Sequence, residues 1–142
     1  MNKWDTRFAN LAKEAASWSK DPNCKVGACL VSPDKREFSV GYNGFPVGIV
    51  DSDVRLEVQD TKNQLTVHAE INTILNARRD LTGWTMYVTK PPCLACAIAI
   101  IQTGIVTLCV PPLDQNSDWA ATTKDAYYIL AEANVEVCDD QN

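Results

Sequence analysis

Two short motifs in the sequence have residue types and spacing that could bind a metal ion and use it in catalysis. The first is His68-Ala69-Glu70, which holds the only histidine of the chain, and the second is Pro92-Cys93-Leu94-Ala95-Cys96. Two cysteines three positions apart share one face of a helix, and a helix N-terminus stabilises thiolate. One imidazole and two thiolates can ligate a tetrahedral zinc ion, and three protein ligands leave the fourth position open, as in catalytic sites.

Glu70 lies two positions after His68, so its carboxylate can approach the open position without binding the metal. Zinc lowers the pKa of water to about 7, which makes hydroxide available at neutral pH. A carboxylate beside that water can take up its proton and return it to a substrate. Glu70 is therefore predicted to be the proton shuttle.

Each motif alone has other interpretations. A Cys-x-x-Cys pair at a helix start is also typical of thiol–disulfide redox proteins. It could form half of a structural zinc site, although the sequence has no second Cys-x-x-Cys pair. The combination of H-x-E at one helix start and P-C-x-x-C at the next is the pattern of zinc deaminases, and this combination favours a catalytic metal site.

Both motifs are predicted to begin helices of an α/β domain. Apolar periodicity indicates helices over residues 3–19, 68–79, 93–103 and 118–133, and apolar runs between turns indicate strands over 26–31, 37–42, 84–89, 105–110 and 135–138. The first two strands form a hairpin, and the later strands alternate with helices and should be parallel. We expect a three-layer α/β/α fold with a mixed five-stranded sheet and helices on both faces. Residues 51–64 are interpreted as a polar connection.

Composition and charge exclude several functional classes. The 142 residues, 46% of them hydrophobic, are typical of one globular domain, here residues 1–142. The net charge of −5 disfavours nucleic acid as a partner but not a small anionic ligand. No apolar run is long enough to span a bilayer and the N-terminus lacks a secretory core, so we expect a cytoplasmic protein without membrane association. In that compartment the six cysteines should be thiols, with Cys29, Cys109 and Cys138 buried in strands.

Longer segments resemble the deoxycytidylate (dCMP) deaminases of the cytidine deaminase superfamily, from about residue 18 to residue 137. The segments are Ser19-Lys20-Asp21-Pro22, Val26-Gly27-Ala28, Gly41-Tyr42-Asn43-Gly44, His68-Ala69-Glu70, Thr85-Met86-Tyr87-Val88-Thr89 and Pro92-Cys93-x-x-Cys96. Cytidine deaminases usually have Cys-Ala-Glu at the first metal motif. The tRNA adenosine deaminases have a shorter connection than the 25 positions from Asn43 to His68.

The resemblance implies the cytidine deaminase-like fold and the hydrolysis of dCMP to dUMP and ammonia, which supplies dUMP for thymidylate synthesis. It implies one catalytic Zn²⁺, with Glu70 protonating N3 of cytosine and then the departing amine. It also implies that Asn43 hydrogen-bonds the sugar and that the backbone N–H of Ala69 holds the pyrimidine carbonyl. Turn geometry at Asn43 and helix-start geometry at Ala69 are the alternative interpretations.

The 5′-phosphate of dCMP needs cations or N–H donors. Ser19, Lys20 and Lys25 flank the loop before the first strand, which faces the pocket in this fold, and are candidates for that contact. The loop of residues 111–118 departs from the relatives, many of which have a tyrosine there near the substrate. Trp119 is expected either to cover the pocket or to anchor the last helix.

The resemblance further implies regulation and assembly. Many family members are hexamers activated by dCTP and inhibited by dTTP, with Mg²⁺ on the triphosphate. Gly41, Tyr42 and Gly44 lie in the glycine-rich loop of residues 41–48, where the family has part of its effector site. Such a loop exposes backbone N–H groups to phosphate, and an ordinary flexible turn is the alternative.

Two other functions are compatible with the sequence. The chain could deaminate another small base or nucleoside with the same chemistry. It could also be a non-catalytic zinc-binding domain of the same fold, although a purely structural metal site would not require Glu70. Ammonia release from dCMP, deoxycytidine and dCTP separates these possibilities.

Overall fold

The computed structural model describes residues 2–139, in which five strands form one sheet. In chain order the elements are α1 Lys3–Ser17, β1 Gly27–Val31, β2 Phe38–Tyr42, α2 Asp53–Glu57, α3 Gln59–Leu65, α4 Ala69–Ala77, β3 Thr85–Val88, α5 Leu94–Gln102, β4 Thr107–Val110, α6 Ala120–Glu132 and β5 Glu136–Asp139. None of the helices in these residues is long and apolar enough to cross a bilayer.

The sheet is mixed, with the strand order β2-β1-β3-β4-β5. Strand β1 is antiparallel to both β2 and β3, whereas β3, β4 and β5 are parallel to one another. Because parallel neighbours need a crossover connection, α5 joins β3 to β4 and α6 joins β4 to β5. The predicted hairpin and mixed five-stranded sheet are confirmed.

Helices cover both faces of the sheet, as predicted. Ala28 and Leu30 of β1 belong to the apolar core that packs against α4, α5 and α6. Cys29 and Val31, which alternate with them, pack with Phe8 of α1 on the other face. The alternation follows from the period-two geometry of a strand.

Two glycines let helices approach the sheet closely. A Cβ at Gly27 would lie 2.0 Å from the carbonyl oxygen of Ala12 in α1, and one at Gly41 would lie 2.4 Å from Thr73 Oγ1 in α4. Asn72 Nδ2 of α4 also donates to the carbonyl oxygen of Tyr42 at 2.8 Å. Helix α4 is therefore fixed against the edge strand β2, and this contact sets the position of its first turn.

The polar connection contains two short helices, α2 and α3, which the sequence analysis did not predict. Ser52 caps α2, since its side chain accepts a hydrogen bond from the backbone N–H of Arg55. Helix α3 is seven residues long and buries only Lys62. Neither helix has an apolar stripe, so hydrophobic periodicity carries no signal for them.

The cysteines outside the Cys-x-x-Cys motif include two fully packed thiols. Within residues 2–139 the six cysteines form no disulfide, and Cys29 and Cys109 are buried as predicted. The prediction that Cys138 is buried is wrong, because this residue lies on the edge strand β5 and is half-buried. Burial raises the pKa of the Cys29 thiol to about 12. Cys29 is thus a small apolar core residue at neutral pH.

Candidate active site

The residues of the two motifs meet where α4 and α5 begin. His68 and Cys93 immediately precede these helices in extended backbone conformations, and Cys96 lies in the first turn of α5. Neither His68 nor Cys93 uses its side chain as a helix cap. Both side chains are therefore free to face each other, while the first N–H groups of each helix have no intrahelical acceptor.

The three side chains form a compact donor set. His68 Nδ1 lies 3.3 Å from Cys96 Sγ and 3.5 Å from Cys93 Sγ, and the three potential ligand atoms lie within 4.8 Å of one another. Tetrahedral zinc, with bonds of about 2.3 Å to sulfur and about 2.0 Å to nitrogen, would separate these nitrogen and sulfur atoms by about 3.5 Å. The donor set therefore fits a zinc ion ligated through Nδ1.

Hydrogen bonding between the two thiols shifts their pKa values in opposite directions. A hydrogen bond from Cys96 lowers the pKa of the Cys93 thiol to about 4. The same hydrogen bond, together with burial, raises the pKa of Cys96. The hydrogen bond to Cys93 raises the pKa of His68. Because a metal binds thiolates and neutral imidazole, loading this site releases protons.

Glu70 lies in the first turn of α4 and is 4% exposed. Burial raises the pKa of its carboxyl group, and the Cys96 thiol lies within hydrogen-bonding reach. A carboxyl group with a raised pKa can both accept and donate a proton near neutral pH. The local structure is therefore suited to general acid–base catalysis.

A cavity of about 360 Å³ opens beside the His68, Cys93 and Cys96 donor set. His68, Ala69 and Glu70 form part of its wall, and Asn43 forms another part. The rest comes from the loop before β1, from α3, from the loop between β3 and α5, and from Trp119. Cavities of roughly 300–1,000 Å³ are typical of small-molecule sites, and this one is large enough for a nucleotide.

Asn43 holds together the backbone around the cavity. Its Nδ2 donates to the carbonyl oxygen of Cys24 at 2.8 Å, and its Oδ1 accepts from the N–H of Val26 at 2.8 Å. Next to it, Gly44 and Val67 exchange two backbone hydrogen bonds of 2.8 and 3.2 Å. This bridge fixes the residue that directly precedes His68. Asn43 thus lies in the cavity wall with one remaining donor and one remaining acceptor site.

The three residues considered for phosphate binding do not converge on this cavity. Ser19 is buried behind it, where its Oγ donates to the carbonyl oxygen of Asn43 at 2.9 Å. Lys20 is exposed and pairs with Asp51 at 2.7 Å beside a neighbouring hollow. Lys25 is exposed and does not line the cavity.

The three residues considered for effector binding lie at the end of β2 and just after it. Gly41 is buried under Thr73, and the ring of Tyr42 packs edge-on against Trp18 with centroids 6.1 Å apart. Tyr42 and Gly44 line the same neighbouring hollow as Lys20. This hollow adjoins the cavity, since Asn43 lines both.

Sequence analysis did not find an ion pair that supports the cavity wall. Lys62 Nζ lies 3.0 Å from Asp21 Oδ1, with the two side chains 3% and 10% exposed. The same oxygen accepts the backbone N–H groups of Asn23 and Cys24 at 2.8 and 3.0 Å. The pair therefore joins α3 to the loop before β1. Nothing in the polar sequence around Lys62 marks it as buried.

Lys62→Met is expected to lower the free energy of unfolding by about 3–5 kcal/mol, because it leaves the buried Asp21 carboxylate without its cation. Lys20→Met, which breaks an exposed and solvent-screened pair, should leave the free energy of unfolding nearly unchanged and serves as the matched control. Urea unfolding of both variants at equal metal content measures this difference. Equal losses in the two variants would contradict a stabilising role of the buried pair.

The pair of Asp21 and Lys62 also predicts that the free energy of unfolding depends on pH. Burial raises the pKa of Asp21, but the two backbone N–H groups and Lys62 outweigh burial and hold it below its ordinary value of 3.8. The stabilisation from Asp21 is therefore complete above that value and is lost as the pH falls through the lower folded-state pKa.

Comparison with known proteins identifies the family of the chain. The family model described as the cytidine and deoxycytidylate deaminase zinc-binding region matches residues 2–111, which include His68, Glu70, Cys93 and Cys96. The chain belongs to this family. The family membership that the sequence motifs indicate is thereby confirmed.

Relatives of this deaminase-family chain match it over most of its length. An uncharacterized deaminase in the luxG 3′ region of Aliivibrio fischeri is 40% identical over 96% of this chain and 93% of that protein. The deoxycytidylate deaminase of Homo sapiens is 41% identical over 72% of this chain. The chain spans 52% of the length of the protein named probable deoxycytidylate deaminase from Caenorhabditis elegans and 61% of the length of the Homo sapiens deoxycytidylate deaminase.

The fold is that of solved deaminases. The dCMP deaminase of cyanophage S-TIM5, in complex with dCMP and dUMP, superposes with a TM-score of 0.80 over 98% of both chains at 23% identity. The predicted cytidine deaminase-like fold is confirmed by this similarity.

Proposed function

We propose that this chain hydrolyses dCMP to dUMP and ammonia with one catalytic Zn²⁺. The observation that carries the proposal is the His68, Cys93 and Cys96 donor set with the buried Glu70 beside it, in the wall of a nucleotide-sized cavity. Residues 1–142 would act as a single deaminase domain in the cytoplasm. The reaction would supply dUMP for thymidylate synthesis.

The chemistry follows from the residues around the cavity. Zn²⁺ held by His68 Nδ1 and the two thiolates would supply an activated water molecule at neutral pH. Glu70 would accept one proton of the attacking water and pass it to N3 of cytosine, then accept the proton left on the oxygen added at C4 and pass it to the departing amine. A bond forms between the water oxygen and C4, the bond between C4 and the amine breaks, and ammonia leaves.

Two further groups orient the substrate in this proposal. The backbone N–H of Ala69 has no intrahelical acceptor because it opens α4, so it donates to the pyrimidine carbonyl. Asn43 hydrogen-bonds the sugar with the donor and acceptor sites that remain on its side chain. Both residues line the same cavity as Glu70.

The names of the relatives support dCMP as the substrate. Proteins named deoxycytidylate deaminase from Homo sapiens and Mycobacterium phage D29 are 41% and 39% identical to the matched part of this chain. The cyanophage S-TIM5 enzyme, similar over its full length, was solved with dCMP and dUMP.

Regulation belongs to the same proposal. We propose that dCTP activates and dTTP inhibits a homo-oligomer, a hexamer in many family members, with Mg²⁺ on the bound triphosphate and contacts from Gly41, Tyr42 and Gly44. The bridge between Gly44 and Val67 supports it, because a shift of this loop would move the residue before His68. Regulation requires different affinities of the effector for two states, with coupling typically of about 1–3 kcal/mol.

The expected result of a substrate panel is ammonia release from dCMP, with much less from deoxycytidine and dCTP. Ammonia release by the zinc-loaded protein is measured with each substrate. Glu70→Gln protein, purified by the same procedure, controls for contaminating deaminases. If deoxycytidine or another base is turned over faster than dCMP, that compound is the substrate and the dCMP proposal is wrong. No turnover of any of them would favour the non-catalytic alternative.

The same assay tests regulation with dCMP saturation curves at fixed Mg²⁺, alone and with each triphosphate. Opposite shifts by dCTP and dTTP are expected. Superimposable curves at millimolar triphosphate would exclude regulation and leave the deaminase proposal standing.

A further inference from the structure

We infer that Lys90 is the cation that binds the 5′-phosphate of the substrate and thereby selects a nucleotide over a nucleoside. The inference rests on the proposed function, because it assigns the phosphate subsite of the same cavity. None of the lysines considered from the sequence lies there, whereas Lys90 lines the cavity directly.

Lys90 is held at the point where three segments of the cavity wall converge. It belongs to the loop between β3 and α5, three residues before Cys93. Its Nζ lies 4.0 Å from the ring centroid of Trp119, at the start of α6, and 3.6 Å from Cys24 Sγ, in the loop before β1. The ammonium group is therefore positioned by contacts rather than extended into solvent.

Trp119 fixes Lys90 without neutralising its charge. The indole Nε1 donates to the carbonyl oxygen of Pro91 at 2.7 Å, which locks the ring against the loop that carries Lys90. A cation over the face of an indole is attracted to it but keeps its full charge and its N–H donors. Trp119 thus both lines the cavity and anchors the last helix, so the two expectations for it are compatible.

The other lysine in the cavity wall is already paired with a carboxylate. Lys62 and Lys90 are the lysines in the cavity wall of the described chain, and Lys62 is bound to Asp21. Lys20 is bound to Asp51 outside the cavity. The ion pairs found within residues 2–139 do not include Lys90. Its charge is therefore available to a ligand.

A phosphate dianion needs such a partner. Moving an anion from water into a partly enclosed cavity is costly unless a cation or N–H groups replace the lost hydration. A hydrogen bond between an ammonium and a phosphate oxygen is charge-assisted and stronger than a neutral one. Lys90 meets this need, because it lies in the cavity wall and forms none of the ion pairs found within residues 2–139.

The experiment compares binding of dUMP and deoxyuridine, which differ only in the phosphate, by calorimetry on zinc-loaded protein. Lys90→Gln is expected to raise the Kd of dUMP about 10- to 100-fold, as for loss of a hydrogen bond to a charged group, with deoxyuridine unchanged. Lys90→Arg should keep dUMP binding within a few-fold of the parent. The exposed Lys124 of α6, which does not line the cavity, provides Lys124→Gln as the matched control.

Each outcome separates the phosphate subsite from the deaminase activity. Unchanged dUMP binding in Lys90→Gln, or equal weakening of dUMP and deoxyuridine, would overturn the role of Lys90 even if dCMP is deaminated. If the parent protein deaminates a different substrate while Lys90→Gln selectively weakens dUMP binding, the dCMP proposal is wrong and the phosphate subsite stands. A steeper salt dependence of dUMP binding in the parent than in Lys90→Gln is also expected.

Discussion

Glu70→Gln is expected to keep the fold and one zinc per chain but to lose dCMP turnover. The amide has nearly the same shape as the carboxylate, yet it cannot carry a proton between the attacking water, the ring and the amine. General acid–base catalysis typically contributes about 10²–10⁴-fold, and Glu70 acts in more than one step, so kcat should fall by at least about 10²-fold. Steady-state ammonia release together with metal analysis measures both quantities.

The control for Glu70→Gln is Glu132→Gln, an exposed residue at the end of α6 outside the cavity. Its turnover should equal that of the parent protein. If Glu70→Gln remains within a few-fold of the parent while retaining zinc, another group is the proton shuttle and the assignment of Glu70 is wrong.

Cys93→Ala is expected to reduce bound zinc from about one ion per chain to a small fraction and to reduce turnover to background. Removing one of three protein ligands leaves the metal with only His68 and Cys96, and the chain has no second histidine that could replace a ligand. Binding of structural or catalytic zinc is also coupled to folding, so the thermal stabilisation by added zinc should shrink.

The matched control for the zinc ligand is Cys138→Ala, because Cys138 is also a free thiol but lies on β5 away from the donor set. Elemental analysis after dialysis, thermal unfolding with and without zinc, and ammonia release are compared for both variants. Full zinc occupancy and activity in Cys93→Ala would exclude the proposed metal centre.

The candidate metal ligands and the elements that carry them are predictable because both signals are local in sequence. Spacing determines that Cys93 and Cys96 share a helix start, and apolar periodicity identifies α4 and α5. Strand runs bounded by turn residues identify the sheet, and the crossover rule gives its parallel half. The fold class therefore follows from the sequence before any three-dimensional information.

The wall of the cavity was less predictable because its contacts join distant segments. Lys62 and Asp21 are 41 positions apart, and Lys90 and Cys24 are 66 apart. Lysines beside the loop before β1, such as Lys20 and Lys25, look equally suitable from the sequence alone, yet both are solvent-exposed. Which lysine faces a ligand depends on tertiary packing, for which composition and periodicity contain no signal.

The bridge between Gly44 and Val67 closes residues 45–66 into one segment whose length can vary. Its two ends are held side by side by backbone hydrogen bonds, so its length can change without moving β2 on one side or His68 on the other. Doubling the length of a flexible loop costs only about 0.6 kcal/mol in closure entropy. Because α3 lies within residues 45–66 and contributes Lys62 to the cavity wall, exchanging this segment would change the wall of the cavity without replacing His68, Cys93 or Cys96. Changes confined to residues 45–66 can therefore alter the cavity wall while the candidate metal ligands keep their places in the sequence.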